Sequence, residues 1–279
     1  MQPKLGNKLI GRIGYGAMRL PGLRGNTADP QRAHDLLLES QKLGINLIAS
    51  AFFYGDGLAN KLIAESLHPY SDQIIISTKV GVKIGQGGRP EVAAKADEIK
   101  TSIDDNLKSL KVTSLDLVFL RLPGGPLRDE GIPMEESLQC LAKLKAEGII
   151  KHIGLSCASL EQLKAAQKIV AIDAVQNAMF VGNLSSLDVV KYCDENQIPF
   201  FAYFPLGMGK LIDEKVDLTP IAEANGVTKA QIALAWLLSL SAMVIPIPGT
   251  SNVSHLKENV SALDIQLDKE VVESLMGIL

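Results

Sequence analysis

The chain has 279 residues, of which 47% are hydrophobic, and a formal net charge of −3. It can bury the core of one large domain or two smaller ones, and its nearly balanced charge argues against nucleic-acid or membrane-surface partners. The three cysteines are widely spaced and odd in number, which argues against a disulfide framework and favours reduced thiols in the cytoplasm. The four scattered histidines form no H-x-x-x-H pair, so we expect no metal site.

Short strand-like segments alternate with helical segments along the whole chain. The strand-like segments are rich in Ile, Val and Leu and show little polar alternation, which is typical of parallel strands covered on both faces. We predict strands over residues 12–18, 45–51, 73–79, 115–121, 151–156, 172–176, 199–203 and 243–247. No stretch approaches the roughly 20 apolar residues that a membrane-spanning helix requires.

Helical periodicity fills the segments between the predicted strands. Apolar stripes run over 99–110 and 138–144, and capping-box patterns at 159–162 and 228–231 predict two helix starts. Glycines favour the left-handed conformation that often ends a helix. Those that directly follow predicted helices are Gly44, Gly148 and Gly226.

Strand–helix units repeated in this way predict a (β/α)8 TIM barrel that forms a single domain over residues 1–279. The main alternative is a doubly wound sheet, which would need a glycine-rich turn of G-x-G-x-x-G spacing after its first strand. The chain has Gly11-Arg-Ile-Gly14-Tyr-Gly16 instead, and residues 20–30 resemble a loop rather than a helix. We expect residues 1–10 to form a small hairpin that closes the bottom of the barrel.

Two cationic side chains and a tyrosine lie at or near the ends of three predicted strands. Lys79 ends the segment 73–79, Arg121 ends 115–121, and Tyr54 follows 45–51. A charge at a buried strand end costs free energy unless a partner or a function requires it. Because barrel enzymes build their active sites at strand ends, we expect the three side chains to converge on a polarised proton donor.

Several sequence blocks, in the same order, resemble the aldo-keto reductase family over nearly the whole chain. They are Gly14–Met18, Ser50–Gly55, Ser77–Lys79, Gly154–Ser156, Val175–Asn177, Ala202–Gly207 and Ile245–Ser251 with Glu258 and Asn259. The resemblance implies the barrel fold and the reduction of a small aldehyde or ketone to an alcohol. It also implies NADPH as the cofactor.

The resemblance implies a catalytic tetrad of Asp, Tyr, Lys and His. Tyr54 matches the acid that protonates the carbonyl oxygen, and Lys79 matches the lysine that lowers the pKa of this tyrosine. Ala49 stands where the family has Asp, and Arg121 stands where it has His. Arginine at the second position is similar to pyridoxal reductases, which makes pyridoxal a candidate substrate.

Without an acidic partner, we expect Lys79 to follow one of two courses. It loses its proton, because burial and the like charge of Arg121 disfavour the ammonium, or it stays charged and moves towards water. Either course weakens its contact with Tyr54, and general acid catalysis is typically worth about 10²–10⁴-fold. We therefore expect Ala49 to impair turnover while cofactor binding stays normal.

The resemblance also implies which residues contact the cofactor and the substrate. Ser156 and Gln176 are expected at the nicotinamide carboxamide, and Tyr203 is expected to stack on the nicotinamide ring. Backbone N–H groups and helix N-termini favour phosphate. The residues expected at the phosphates and adenine are Leu206, Gly207, Gly209, Gly249, Thr250, Ser251, His255, Glu258 and Asn259. Those expected at the substrate are Met18, Phe52 and Phe53.

Two other functions are left open by the sequence. A non-catalytic nicotinamide-binding module would bind NADPH without turnover, and the loss of the acidic partner of Lys79 favours it slightly. A Schiff-base barrel would use Lys79 as a nucleophile of lowered pKa. A cytoplasmic reductase of small carbonyl compounds is the leading interpretation.

Overall fold

The computed structural model describes residues 2–22, 29–124, 134–208 and 216–277. In chain order its strands are β1 (Lys4–Leu5), β2 (Lys8–Leu9), β3 (Tyr15–Gly16), β4 (Leu47–Ala49), β5 (Ile75–Ile84), β6 (Pro90–Ala93), β7 (Leu115–Arg121), β8 (Ile150–Ser156), β9 (Ala174–Ala178), β10 (Phe200–Tyr203) and β11 (Val244–Pro246).

The helices follow most of the barrel strands. They are α1 (Pro30–Lys42), α2 (Leu58–Leu67), α3 (Ala96–Leu110), α4 (Met134–Ala146), α5 (Leu160–Gln167), α6 (Leu187–Glu195), α7 (Thr219–Asn225), α8 (Lys229–Leu240), α9 (Val253–Ser261) and α10 (Lys269–Met276). None of these described helices has the length and apolar character needed to cross a bilayer.

The parallel strands pair in the order β3, β4, β5, β7, β8, β9, β10, β11. Backbone hydrogen bonds from Gly14 to Pro246 (3.0 Å) and from Gly16 to Pro248 (3.1 Å) join the two ends of this sheet. The sheet therefore closes into a barrel, and the predicted (β/α)8 fold is confirmed. The first two barrel strands are shorter than predicted.

The N-terminal hairpin of β1 and β2 covers the barrel at the amino-terminal ends of its strands. Lys8 Nζ donates to the carbonyl of Ile74, and Asn46 Nδ2 donates to the carbonyl of Leu9. Leu5 of the hairpin joins the apolar cluster inside the barrel. The expected closure of the barrel bottom is thus confirmed, and the opposite end of the barrel stays open for a site.

The helix boundaries follow local sequence signals. Ser159 and Thr228 each form a capping box, at the starts of α5 and α8. Gly44, Gly148 and Gly226 have φ values of 79°, 75° and 64°, as predicted for helix ends. These helices cover the outer face of the sheet, so most of the apolar core lies between the barrel and its helices.

Strand β5 is longer than predicted and does not end at Lys79. It continues to Ile84 and pairs antiparallel with β6, from Gly81 opposite Ala93 to Ile84 opposite Pro90. The chain leaves the barrel at Gly81, whose φ is 91° and where a Cβ would lie 3.0 Å from the carbonyl oxygen of Arg121. Lys79 therefore belongs to the last part of β5 that pairs with β7, and a short hairpin rises beyond it.

Barrel closure makes Gly16 intolerant of a side chain. A Cβ at this position would lie 2.7 Å from the carbonyl oxygen of Ile247, which belongs to the backbone and cannot rotate away. We expect Gly16→Ala to lower the free energy of unfolding by about 1–3 kcal/mol in urea denaturation. Gly11→Ala is the control, since its nearest contact would be 3.4 Å; we expect a change within about 0.5 kcal/mol. Equal effects would contradict this account of closure.

Candidate active site

A cavity of about 950 Å³ opens at the carboxyl-terminal ends of the barrel strands. It brings together most of the side chains that the sequence singled out. The predicted residues in its lining are Met18, Ala49, Phe53, Tyr54, Lys79, Arg121, Ser156, Gln176, Tyr203, Leu206, Gly249, Thr250, His255, Glu258 and Asn259. Segments from several strands and loops thus meet around one space.

Some of the predicted residues lie beside this cavity or beyond what the structure describes. Phe52 packs against Gly57, where a Cβ would lie 2.7 Å from the phenyl ring. Gly207 is buried in a turn in which its N–H donates to the carbonyl of Phe204 at 2.8 Å. Ser251 contacts α1 rather than the cavity. Gly209 lies outside the described residues, and the roles of all four stay predictions.

Lys79 is buried at the base of the cavity with 5% of its surface exposed. Its Nζ donates to the carbonyl of Ser50 at 2.9 Å and lies 5.1 Å from the ring centroid of Tyr54. In the described part of the chain, no carboxylate forms an ion pair with it. The pKa of Lys79 is lowered to about 7, mainly by burial; Cys157 opposes this shift, and the charge of Arg121 adds to it.

The Ser50 carbonyl that holds Lys79 is fixed by a buried polar network. Ser50 Oγ donates to Asn60 Oδ1 at 2.6 Å, and Asn60 Nδ2 donates to Asn106 Oδ1 at 2.9 Å. Thr78 Oγ1 also donates to Asn106 Oδ1. Helices α2 and α3 therefore anchor Ser50, just after β4, and Thr78 of β5. The hydrogen bonds that do so are buried and are costly to break.

Tyr54 lies in the loop between β4 and α2, with the ring of Phe53 edge-to-face at a centroid distance of 5.0 Å. Burial raises the pKa of the Tyr54 phenol well above its ordinary value, and the charge of Arg121 opposes that shift only in part. The phenol therefore carries its proton at neutral pH, which is the state that a general acid requires.

Arg121 borders the cavity while its guanidinium also bonds to its own loop. Nη1 donates to the carbonyl of Leu122, and Nη2 donates to the carbonyl of Gly124 at 3.1 Å. The side chain thus borders the cavity and also ties the start of its own loop. Both carbonyls keep the cation beside Tyr54 and Lys79.

The turn after β8 presents Cys157 towards Tyr203. The thiol lies 3.0 Å from the Tyr203 hydroxyl, and the backbone of Cys157 has a φ of 63°. Asn177 holds this turn by two hydrogen bonds to Ala158, at 2.7 and 3.0 Å. Since a positive φ strains a residue with a Cβ, the turn depends on these bonds, and they also fix the adjoining Ser156.

Gln176 offers an acceptor that the described residues leave without a partner. Its side chain is 1% exposed and borders the cavity, yet its Oε1 receives no hydrogen bond from the described part of the protein. A buried amide oxygen left unpaired costs free energy. The cavity therefore suits a ligand that carries an N–H donor at this point.

Two arginines near the cavity were not predicted as site residues from the sequence. Arg19 lines the cavity beside Gly249. Arg32 of α1 donates to the carbonyl of Ser251 and, at 3.0 Å, to its Oγ. These groups adjoin the start of α9, where a helix N-terminus favours anions. Arg19 immediately follows the first family-like block, but no local pattern pairs Arg32 with a residue 219 positions away.

Comparisons with known proteins identify the family of this chain. The Aldo/keto reductase family model matches residues 12–279. Pyridoxine 4-dehydrogenase of Escherichia coli (strain K12) is 38% identical over 278 residues, which cover 98% of this chain and 96% of that protein.

Solved structures show the same fold. A thermostable aldo-keto reductase in complex with the inhibitor epalrestat has a TM-score of 0.85 and 27% identity, with 100% of both chains covered. An aldo/keto reductase from Klebsiella pneumoniae in complex with NADP and acetate has a TM-score of 0.83 and 25% identity, over 99% of this chain and 94% of that one. The resemblance seen in the sequence is thus confirmed, and the chain belongs to the aldo/keto reductase family.

Proposed function

We propose that this protein reduces an aldehyde to an alcohol with NADPH, and that pyridoxal is a substrate. The observation that carries the proposal is that Tyr54, a protonated phenol, and Lys79 line one cavity, with the Lys79 Nζ 5.1 Å from the centroid of the Tyr54 ring. Tyr54 donates its proton to the carbonyl oxygen of the substrate. The cation of Arg121 favours the phenolate that this transfer leaves behind.

The residues of the cavity fit a nicotinamide dinucleotide. The unpaired Oε1 of Gln176 would accept from the carboxamide, the Ser156 hydroxyl lies one strand away in register, and the Tyr203 ring offers a stacking surface. When bound, NADPH would supply the hydride for the carbonyl carbon. The Klebsiella pneumoniae relative, solved with NADP, supports this assignment.

The arginines support NADPH over NADH. Arg32 lies against Ser251, one turn before the exposed His255 of α9. A guanidinium matches the geometry of a phosphate and remains charged at every physiological pH. Arg32 would therefore supply a permanent positive charge in the region where the sequence predicted His255.

An aromatic aldehyde suits the walls of the cavity. Phe53, Tyr54, Tyr203 and Phe204 contribute aromatic side chains, and Met18 adds an adaptable apolar one. The relative that oxidises pyridoxine, as its name states, covers nearly the whole chain. Pyridoxal is the aldehyde that corresponds to pyridoxine, and we infer it as the substrate on both grounds.

A non-catalytic nicotinamide-binding module is the second candidate function. The observation that favours it is the lack, among the described residues, of a carboxylate beside Lys79. Titration of NADPH fluorescence together with an aldehyde panel separates the two. Quenching on binding with turnover of pyridoxal supports the reductase, whereas quenching without turnover of any aldehyde supports the module.

Removing the phenol hydroxyl tests the role of Tyr54. We expect Tyr54→Phe to lower kcat for pyridoxal by about 10²–10⁴-fold, which is the usual contribution of general acid catalysis. The Kd for NADPH should change less than about twofold, since the hydroxyl is proposed to act on the substrate. Phe53→Leu is the control for lost aromatic packing. A kcat close to wild type in Tyr54→Phe would reject the assignment.

Restoring an acidic partner tests the role of Ala49. In the wild type we expect kcat to fall as the pH rises through about 7, because Lys79 then loses its proton. An opposite charge raises an amine pKa by about one to three units, so Ala49→Asp should move this fall to higher pH and raise kcat at pH 8 about five- to tenfold.

Ala49→Asn is the matched control, since asparagine has nearly the same volume as aspartate and carries no charge. We expect it to keep the wild-type pH profile and to gain no activity at pH 8. Identical pH profiles for the wild type and Ala49→Asp, in steady-state assays of the folded proteins, would discard the proposed effect of Ala49.

Neutralising Arg32 tests the cofactor preference. We expect Arg32→Gln to raise the KM for NADPH about tenfold, because a charge-assisted bond to phosphate is lost, and to leave the KM for NADH within about twofold. Lys61→Gln removes one exposed charge from α2, away from this contact, and serves as the control. Equal losses for both cofactors would show that Arg32 has no part in selecting the phosphate.

A further inference from the structure

Lys79 has features that an ammonium beside Tyr54 does not explain. An ammonium has three donors, but the described residues offer its Nζ one acceptor, the carbonyl of Ser50 at 2.9 Å. The group is 5% exposed and borders the cavity. The Tyr54 ring, whose centroid is 5.1 Å away, is a favourable contact for the ammonium, but a neutral amine has fewer donors to satisfy and keeps a lone pair for the cavity.

The charged and titratable groups around Lys79 lead to the same conclusion. Arg121 approaches from β7, Tyr54 from the loop after β4, and Cys157 from the turn after β8, with Tyr203 beside Cys157. Burial and Arg121 lower the pKa of Lys79 to about 7, against the opposing effect of Cys157. A substantial fraction of the molecules therefore carries a neutral amine at neutral pH.

We propose that Lys79 forms a reversible Schiff base with an aromatic aldehyde in the cavity. The proposal rests on the function proposed above, since it takes the same cavity and the same class of aldehyde. A buried lysine that forms no ion pair among the described residues and borders an apolar cavity has the properties of an imine-forming nucleophile. The aromatic walls provide the space for the aldehyde ring.

The reaction balances without a further reactant. The lone pair of Nζ attacks the carbonyl carbon and the C–N bond forms; one proton then moves from the nitrogen to the carbonyl oxygen, which becomes the hydroxyl of a carbinolamine. The phenol of Tyr54 gives its proton to this hydroxyl, which leaves as water while the C=N bond forms. The nitrogen then releases its remaining proton, which returns to the Tyr54 phenolate.

This chemistry competes with reduction of the same aldehyde. A molecule bound as an imine has lost the carbonyl oxygen that Tyr54 would protonate, so it cannot be converted to the alcohol. We therefore expect the aldehyde to inhibit its own reduction at high concentration. The inhibition should grow stronger as the pH rises through about 7, since more Lys79 is then neutral.

Reductive trapping tests the proposal on the full chain without cofactor. Pyridoxal and sodium cyanoborohydride are added at several pH values, and peptide mass spectrometry locates the product, an adduct of one aldehyde less its oxygen. A lysine side chain in a model peptide has a pKa of about 10.4, and its neutral fraction at pH 7 is about 10³-fold smaller than that of an amine with a pKa near 7. We expect the Lys79 peptide to be labelled at least about tenfold faster than the others, with a midpoint near pH 7.

Variants at position 49 supply a second measurement. Ala49→Asp should reduce labelling of Lys79 at pH 7 at least about fivefold, because a carboxylate favours the ammonium, whereas Ala49→Asn should keep it. Lys79→Met gives the background from other lysines. The pH profile of the wild type decides the question by itself if Ala49→Asp does not fold.

Labelling that spares Lys79, or that follows the pH profile of exposed lysines, would overturn the proposal. Failure of the proposed reductase activity is recognised separately, by the absence of NADPH oxidation when pyridoxal is added. An enzyme that oxidises NADPH with pyridoxal and leaves Lys79 unlabelled is a reductase without imine chemistry. An enzyme that labels Lys79 and does not oxidise NADPH has the Schiff base without the reductase activity.

Discussion

The chemistry of this barrel depends on how a single buried amine is held. Lys79 Nζ is fixed by one bond to the Ser50 carbonyl, and Ser50 is fixed in turn by Asn60. Because this network uses amides and hydroxyls and no charge, it positions the amine without deciding its protonation. Burial and Arg121 decide it instead, and they bring the pKa of Lys79 to about 7. A carboxylate at position 49 would have removed this sensitivity, at the cost of burying one more charge.

The fold places this amine on a paired strand inside a closed barrel. The barrel closes through Gly14 and Gly16, the hairpin fills its amino-terminal end, and α2 and α3 hold β4 and β5 through the polar network. Rigid strands and caps of this kind keep catalytic groups within the narrow tolerance that proton transfer requires.

Much of the fold could be predicted because its signals are local. Runs of Ile, Val and Leu mark the strands, and the capping boxes at Ser159 and Thr228 mark helix starts within a few residues of sequence. The extension of β5 was missed because its pairing with β6 depends on a kink at Gly81 and on a partner strand with few apolar residues. The contact of Arg32 with Ser251 was missed because it joins distant parts of the chain. Residue types therefore predicted which side chains line the cavity. They were a poorer guide to the hydrogen bonds and strand pairings that position those side chains.

The site also shows why a family resemblance does not by itself define the chemistry of a member. Tyr54 and Lys79 match the family, but the pKa of each reflects its surroundings. Burial raises the pKa of the Tyr54 phenol, which therefore keeps its proton. Burial lowers the pKa of the Lys79 amine, which therefore loses its proton more easily. A protonated acid next to a partly neutral amine can donate a proton to a carbonyl oxygen, or it can assist attack by that amine on the carbonyl carbon. Which reaction prevails then depends on pH and on the charge at position 49, because both act on the same nitrogen atom.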